Sequence, residues 1–410
     1  MPLKILFTEG SSTSARQSLY ALGRLGHVID VCDPQRLCLT RFSRYVRRLY
    51  RCPSFTRDPL GYLDFLRDRL DREHYDVLLP VHDQVYLLSR FPEAFYGRTG
   101  LALAPFESVV QLQSKAGFAR LLAELELPQP RTTVVAGPAE VPAACSYPCY
   151  VKLEYSTAGR GVWRVDSPRE LQPVLDALER IDEQDRGQIV VQEAVAGEFH
   201  AAQAVCRHGE LVGAGCYRSL ARGVGGSAHA RESVTQPAVY EHLARLGRRL
   251  AWHGAFHVEY LCDPATGSPT YIEANPRIGE TMNATLGGAN LCEALVRVSL
   301  GERLAAPVFA RPGVRTHSVL MALMGAAEGG EGRRGVLAEL RRWRRREGAY
   351  HDSEDELVRP GEDPRALLPA VFVTAQLLAA PSRTRQIVRR AVDNYALDAR
   401  AVRAIAELFP

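Results

Sequence analysis

The spacing of apolar residues changes several times along the chain, and each change predicts an element. KILFTE at residues 4–9 is a short apolar run that reads as a buried strand. SSTSA reads as a loop, and RQSLYALGRLG reads as a helix carrying Leu19, Leu22 and Leu25 on one face. HVIDVCD then returns to a strand, which completes a βαβ unit. A helix near YLDFLRDRL, the strand DVLLPV, a helix around QVYLLSRF and the strand LALAP predict a small parallel α/β domain over residues 1–106. From Glu107 one long helix, ESVVQLQSKAGFARLLAELEL, is expected to run to Pro128 and Pro130, which stop it.

Beyond the prolines, RTTVV, CYVKLEY, GVWRV, QIVVQEAV, FHAAQAVC and ELVGAGCYR read as strands, with a helix between Ser167 and Ile181. So few helices predict an α+β region with a largely antiparallel sheet, spanning 107–300 and containing a lobe at about 130–200. Its second half holds the Gly-rich stretch ARGVGGSAHA, expected to be a mobile loop between Arg222 and Arg231, then a helix and the strands FHVEYLC and PTYIEAN. Residues 301–410 read as mainly helical. There, seven arginines between Arg333 and Arg346 surround Val336, Leu340 and Trp343, the pattern of a solvated amphipathic helix neutralised in part by Asp352, Glu354, Asp355 and Glu356.

The chain has 410 residues and a net charge of +4, too near balance for the whole molecule to be held by nucleic acid or an anionic membrane. Small molecules are the expected partners, and nothing separates a monomer from a homodimer. Nine scattered cysteines without a C-x-x-C pair predict neither a disulfide framework nor a structural zinc. With no stretch approaching about 20 apolar residues, a cytoplasmic location is expected. Three of the 51 basic residues are lysines, Lys4, Lys115 and Lys152. In a chain that otherwise uses arginine, a retained compact ammonium suggests contact with phosphate; Lys4, at a strand end, is read as solvated.

Lys152 precedes Ser156, Thr157, Ala158, Gly159, Arg160 and Gly161, small residues that let backbone N–H groups approach phosphate oxygens. No G-x-x-x-x-G-K-[ST] is present, and a plain Gly-rich hairpin fits the same residues. Gln192, Glu193 and Val195 end a strand that could face a nucleobase edge, and Glu198 could accept from a ribose; surface carboxylates fit as well. The stronger pair is Glu259 and Glu273, set among apolar neighbours where ionised carboxylates are costly unless paired or metal-bound. Asn275 shares the strand face of Glu273, giving a hard oxygen set suited to Mg²⁺ or Mn²⁺. Arg277 continues the alternation toward a transferred phosphoryl group.

Lys115, Lys152 before a Gly-rich loop, QEAVAGE, then V-E-Y and E-A-N-P-R, in this order over residues 1–300, resemble the ATP-grasp superfamily. The resemblance implies a small α/β domain, a mobile α+β lid and a larger α+β domain that grip ATP. It also implies roles: Lys115 and Lys152 on ATP phosphates; Glu193 and Val195 beside adenine; Glu198 on ribose; Glu259, Glu273 and Asn275 on magnesium; Arg277 and Arg231 at the reacting groups. Leu153 departs from the proline often found there, and Ile278, Gly279 and Glu280 stand in place of the more usual run of small residues, which changes the substrate pocket and leaves the ligase subfamily unassigned. The implied reaction is ATP-dependent ligation of a small-molecule carboxylate to an amine through an acylphosphate. A carboxylase or carbamoyl-forming enzyme is the alternative, although no biotin-carrier M-K-M and no second ATP-grasp half is present; a nucleotide-binding regulator without activity is the other. Glu280, with His82 and Asp83, is expected to bind the ammonium of an amino-acid acceptor, unless Glu280 instead caps the following helix.

Overall fold

The computed structural model describes all residues except 157, 158, 160, 330, 331, 358–360, 384, 385, 387–391, 393, 394, 409 and 410. Thr157, Ala158 and Arg160 of the proposed phosphate loop therefore lie outside the described residues. The N-terminal part comprises β1 (Lys4–Phe7), α1 (Thr13–Gly23), β2 (Val28–Asp33), β3 (Val46–Arg51), α2 (Pro59–Arg72), β4 (Val77–Leu79) and α3 (Gln84–Arg90). Its sheet is parallel in the order β3-β2-β1-β4. Strand β3 has no counterpart in the sequence reading, because an edge strand of sequence VRRLYR has no buried face. LALAP forms no strand; Gly100, just before it, makes an isolated parallel bridge to Val77. Helix α1 starts earlier than expected, capped by Ser12, and ends at Gly23, which leaves Leu25 exposed.

The long helix expected from Glu107 is two helices, α4 (Phe106–Gln113) and α5 (Lys115–Glu124). Between them Ser114 is extended, and its Oγ accepts from the Gly117 N–H at 2.8 Å, the N-cap geometry that starts a new helix. The break puts Lys115 on the first turn of α5, where the helix dipole favours anions.

The lobe consists of β5 (Thr132–Val135), α6 (Val141–Ala144), β6 (Cys149–Leu153), β7 (Val162–Val165), α7 (Leu171–Glu179), α8 (Glu183–Arg186) and β8 (Ile189–Glu193). Its antiparallel sheet, ordered β5-β8-β6-β7, packs around Val151, Val165, Leu178, Ile189 and Val191.

A larger eight-stranded sheet follows. It is built from β9 (Glu198–Arg207), β10 (Glu210–Arg222), β11 (Ala228–Val234), β12 (Gly254–Cys262), β13 (Pro269–Asn275), β14 (Val308–Phe309), β15 (Arg315–His317) and β16 (Glu354–Asp355). Helices α9 (Pro237–Arg249), α10 (Met282–Leu286) and α11 (Leu291–Ser299) connect its strands. Beyond residue 300 come α12 (Val319–Glu328), α13 (Gly332–Arg345), α14 (Leu368–Ala379) and a final helix, Ala399–Ala406. Among the described residues of this stretch the strands are β14, β15 and β16, and all three join the large sheet.

Two expectations need correction. ARGVGGSAHA is not an open loop: β10 and β11 pair up to Arg222 and Ala228 around a one-turn tip, Val224 packs in the cluster of α12, and Gly225 N–H donates to Glu328. Glu356 of the acidic run does not serve α13. Glu356 is buried on Arg231, while Arg342 and Arg345 pair with Glu339 and Glu347.

Candidate functional site

Strands β12 and β13 pair with Glu259 directly opposite Glu273 and His257 opposite Asn275, so the carboxylates and the amide converge on one sheet face. Lys115 Nζ lies 3.3 Å from Glu273 and donates to the Ser156 carbonyl at 2.9 Å and to its Oγ at 3.1 Å. From the lobe, Lys152 Nζ donates to Gln192 Oε1 at 2.6 Å and lies 3.4 Å from the Ile272 carbonyl. Both lysines are buried. A cleft lined by Lys115, Lys152, Phe118, Val190, Gln192 and Ile272 opens between the lobe and the large sheet. Lys4, the remaining lysine, pairs with Glu73 far along the sequence from this cluster.

Electrostatics sharpen the cluster. Burial, then the negative charge of Glu273, push Glu259 up to about 7. Its carboxylate has no hydrogen bond or ion pair among the described residues. Two facing carboxylates and an amide oxygen, answered by one close ammonium, fit a hard divalent cation. No group of three or more His, Cys, Asp or Glu suited to a metal occurs among the described residues, so this set depends on Asn275 as its third donor.

Burial pushes Lys152 down to about 8. The sign of the consequence is fixed: the lysine is charged below that pH and neutral above it, and a phosphate ligand needs the charged form. Metal-free nucleotide affinity should therefore weaken about tenfold between pH 7 and pH 9. Calorimetric titration with ADP checks this, and a flat profile would remove Lys152 from the phosphate site.

His257 was missed by sequence reading. Its Nε2 lies 3.1 Å from Asn275 Nδ2, and its Nδ1 lies 3.4 Å from the Arg277 carbonyl. Burial and the charge of Arg277 push its pKa down to about 3, so the ring is neutral. One nitrogen then accepts from the Asn275 amide while the other donates to the carbonyl, which fixes Asn275 with Oδ1 turned away, 3.1 Å from Arg277 Nη2. The H-x-E alternation on β12 was the available signal.

The nucleobase candidates sit at the end of β8. Gln192 is buried and held by Lys152 and Thr132, and Glu193 is exposed. The Val195 N–H has no acceptor among the described residues, which leaves it free for a ligand. Glu198 is exposed at the start of β9, 3.7 Å from His200 and 3.8 Å from Arg218. Gly159 and Gly161 have positive φ, consistent with a turn that side chains would disfavour.

The acceptor candidates separate into two groups. Glu280 does not cap α10, whose N-cap is Thr281. Instead one Glu280 oxygen accepts from Arg231 and the other from Thr13 Oγ1. Arg231 is buried, and its other arm donates to Glu356 Oε2 at 2.5 Å. Gln17 Nε2 reaches the same Glu356 oxygen at 2.8 Å. Thr13 is presented by a loop held from both sides: Glu9 accepts from the Ser11 and Ser12 N–H groups, and Asp33 from the Gly10 N–H and Ser11 Oγ. His82 and Asp83 lie elsewhere, buried beside Arg277: Asp83 accepts from Arg277 and the Leu397 N–H, and His82 Nδ1–H donates to the Tyr395 carbonyl.

No protein-family model matches the sequence, and no curated protein matches it. Solved structures share the fold. An L-amino acid ligase from Bacillus licheniformis is 18% identical and superposes with a TM-score of 0.55, over 73% of this chain and 74% of its own. A carboxyaminoimidazole ribonucleotide synthase from Aspergillus clavatus, complexed with ATP, is 17% identical with a TM-score of 0.60, over 78% and 82%. The biotin carboxylase domain of the Hydrogenobacter thermophilus 2-oxoglutarate carboxylase, in complex with MgADP, ADP and bicarbonate, is 16% identical with a TM-score of 0.60, over 77% and 73%. These are ATP-grasp enzymes, and the chain has their fold. No helix among the described residues is long and apolar enough to cross a membrane.

Proposed function

We propose that the chain is an ATP-dependent carboxylate–amine ligase. The observation that carries this reading is the convergence of Lys115, Lys152, Glu259, Glu273, Asn275 and Arg277 at the junction of the lobe and the large sheet. Lys115 and Lys152 hold the phosphates of ATP, with Ser156, Gly159 and Gly161 at the turn beside them. Gln192, Glu193 and Val195 border the base, and Glu198 meets the ribose. Glu259, Glu273 and Asn275 would hold Mg²⁺ or Mn²⁺, which screens phosphate charge when bound.

A substrate carboxylate oxygen attacks the γ-phosphorus of ATP, and ADP leaves. The acceptor loses the extra proton of its ammonium form to solvent, and the amine nitrogen attacks the acyl carbon of the acylphosphate; phosphate leaves, the nitrogen gives up a second proton, and an amide bond remains. Arg277 faces the charge that develops on the transferred group. Placement between two protein layers keeps water from the acylphosphate.

The acceptor is an amine, and the charge count around Arg231 supports this. Arg231 with Glu280 and Glu356 sums formally to −1, so an incoming ammonium completes the balance while a second carboxylate would not. Glu280→Gln is expected to raise the KM of the amine about tenfold while leaving that of ATP unchanged. Equal KM values in mutant and wild type would remove Glu280 from the acceptor site. The ligase reading itself is tested by ADP release from the purified chain against paired pools of carboxylates and amines. Release should require one member of each pool.

A second reading takes bicarbonate as the acid. Two of the structural neighbours, at a TM-score of 0.60, are a carboxyaminoimidazole ribonucleotide synthase and a biotin carboxylase domain complexed with bicarbonate. ADP release driven by bicarbonate, with no organic acid present, would select it.

A further inference from the structure

Asp83 occupies the N-cap position of α3, yet its side chain makes no capping bond to that helix. An aspartate at this position ordinarily accepts from the first turn. Here both oxygens are turned elsewhere, and the residue is buried. Oδ1 accepts from Arg277 Nε at 2.7 Å and lies 3.2 Å from His82 Nδ1. Oδ2 accepts from the Leu397 N–H at 3.0 Å. His82 Nδ1 is 3.0 Å from the Tyr395 carbonyl, and the two rings lie with centroids 4.4 Å apart. One carboxylate thus joins the N-terminal sheet, the loop after β13 and a segment near the C-terminus.

We propose that Asp83 is a positioning residue for Arg277, locked in place by Tyr395–Leu397; this rests on the ligase reading. Arginine carries several rotatable bonds, and a charge-assisted bond to Nε fixes the plane of its guanidinium. With Nε on Asp83 and Nη2 on Asn275 Oδ1, Arg277 is oriented before substrate arrives. Asp83 is 1% exposed and already bonded to Arg277 and Leu397, whereas the Glu280 side chain is 21% exposed, so Asp83 is assigned to Arg277 and the amine to Glu280. The arrangement also gives residues 395–397 a role at the site, reached through Asp83 rather than by contact with substrate.

The test uses the full chain with Asp83→Ala, Asp83→Asn and Arg277→Ala. Asp83→Ala is expected to lower kcat about 10- to 100-fold and leave the Kd for ADP within about twofold. Combined with Arg277→Ala it should add nothing to the loss from Arg277→Ala alone. If the Ala variant does not fold, Asp83→Asn replaces it: its amide must turn NH2 toward either Arg277 or Leu397, which breaks one of the two bonds. An activity-independent readout is the Arg277 Nε–H resonance, assigned by its loss in Arg277→Lys. It should be shifted and slow to exchange in the wild type, and should lose both properties in the Asp83 variants. Unchanged kcat, multiplicative losses, or an unaltered resonance would overturn the proposal. A wild-type chain without turnover on any substrate pair would instead count against the ligase reading, and the resonance alone would then decide the role of Asp83.

Discussion

Glu273→Gln is expected to abolish turnover while the fold survives. Glu273 stands opposite Glu259 across the β12–β13 ladder and 3.3 Å from Lys115, so the substitution removes one of two facing carboxylates and changes no volume. The remaining Glu259 would still be buried, but without a charged partner to share a divalent cation. Loss of one preorganised charge at a phosphoryl-transfer site costs about a thousandfold in rate, and loss of the metal costs more. Melting temperature should change little, because relief of the repulsion between Glu259 and Glu273 is offset by loss of the Glu273–Lys115 ion pair. Full activity in the variant, or wild-type activity that persists in excess chelator, would show that these residues hold no catalytic metal.

The second large effect is expected from Lys152→Arg, a substitution that would be silent on the surface. The Lys152 ammonium sits in a buried slot between Gln192 and the Ile272 carbonyl, and a planar guanidinium is both longer and wider than that slot. Nucleotide affinity should fall at least about tenfold, with a larger loss of turnover as the lobe is pushed away from β13. Calorimetry with ADP, with Lys4→Arg as the control, separates a site effect from a general response to the added arginine. Equal affinities in the two variants would mean that the rarity of lysine in this chain carries no chemical meaning.

The parts of this site that were legible in the sequence are those written on single strands. Alternation placed Glu273, Asn275 and Arg277 on one face, and the turn DPATGS between two apolar runs brought Glu259 opposite Glu273. The two site lysines stood out because the chain spends arginine everywhere else. What was not legible depends on pairing across distant segments. The break at Ser114 is a single hydroxyl competing with continued helix, and apolar periodicity runs through it unchanged. Arg231 looked free to meet substrate, since the carboxylates that hold it come from residues 280 and 356, brought together by β11, β15 and β16. ARGVGGSAHA has the composition of a mobile loop, but strand pairing from both sides and burial of Val224 reduce it to a hairpin tip. His82 and Asp83 lie past the end of β4, at the start of α3, and the donors that fill Asp83 lie 194 and 314 residues away in sequence.

Activation of a substrate carboxylate by ATP, as its acylphosphate, is the step on which the whole mechanism rests. Once a productive acid has been found in the pooled assay, it should be supplied with both carboxylate oxygens labelled as ¹⁸O, together with ATP and the amine. Attack on the γ-phosphorus carries one labelled oxygen onto the phosphate, and attack by the amine leaves it there. The released phosphate should therefore contain one ¹⁸O atom for each amide formed, as read by mass spectrometry or by the isotope shift of its ³¹P resonance. Amide formation with unlabelled phosphate would contradict the acylphosphate route and, with it, the proposed roles of Lys152, Glu273 and Arg277.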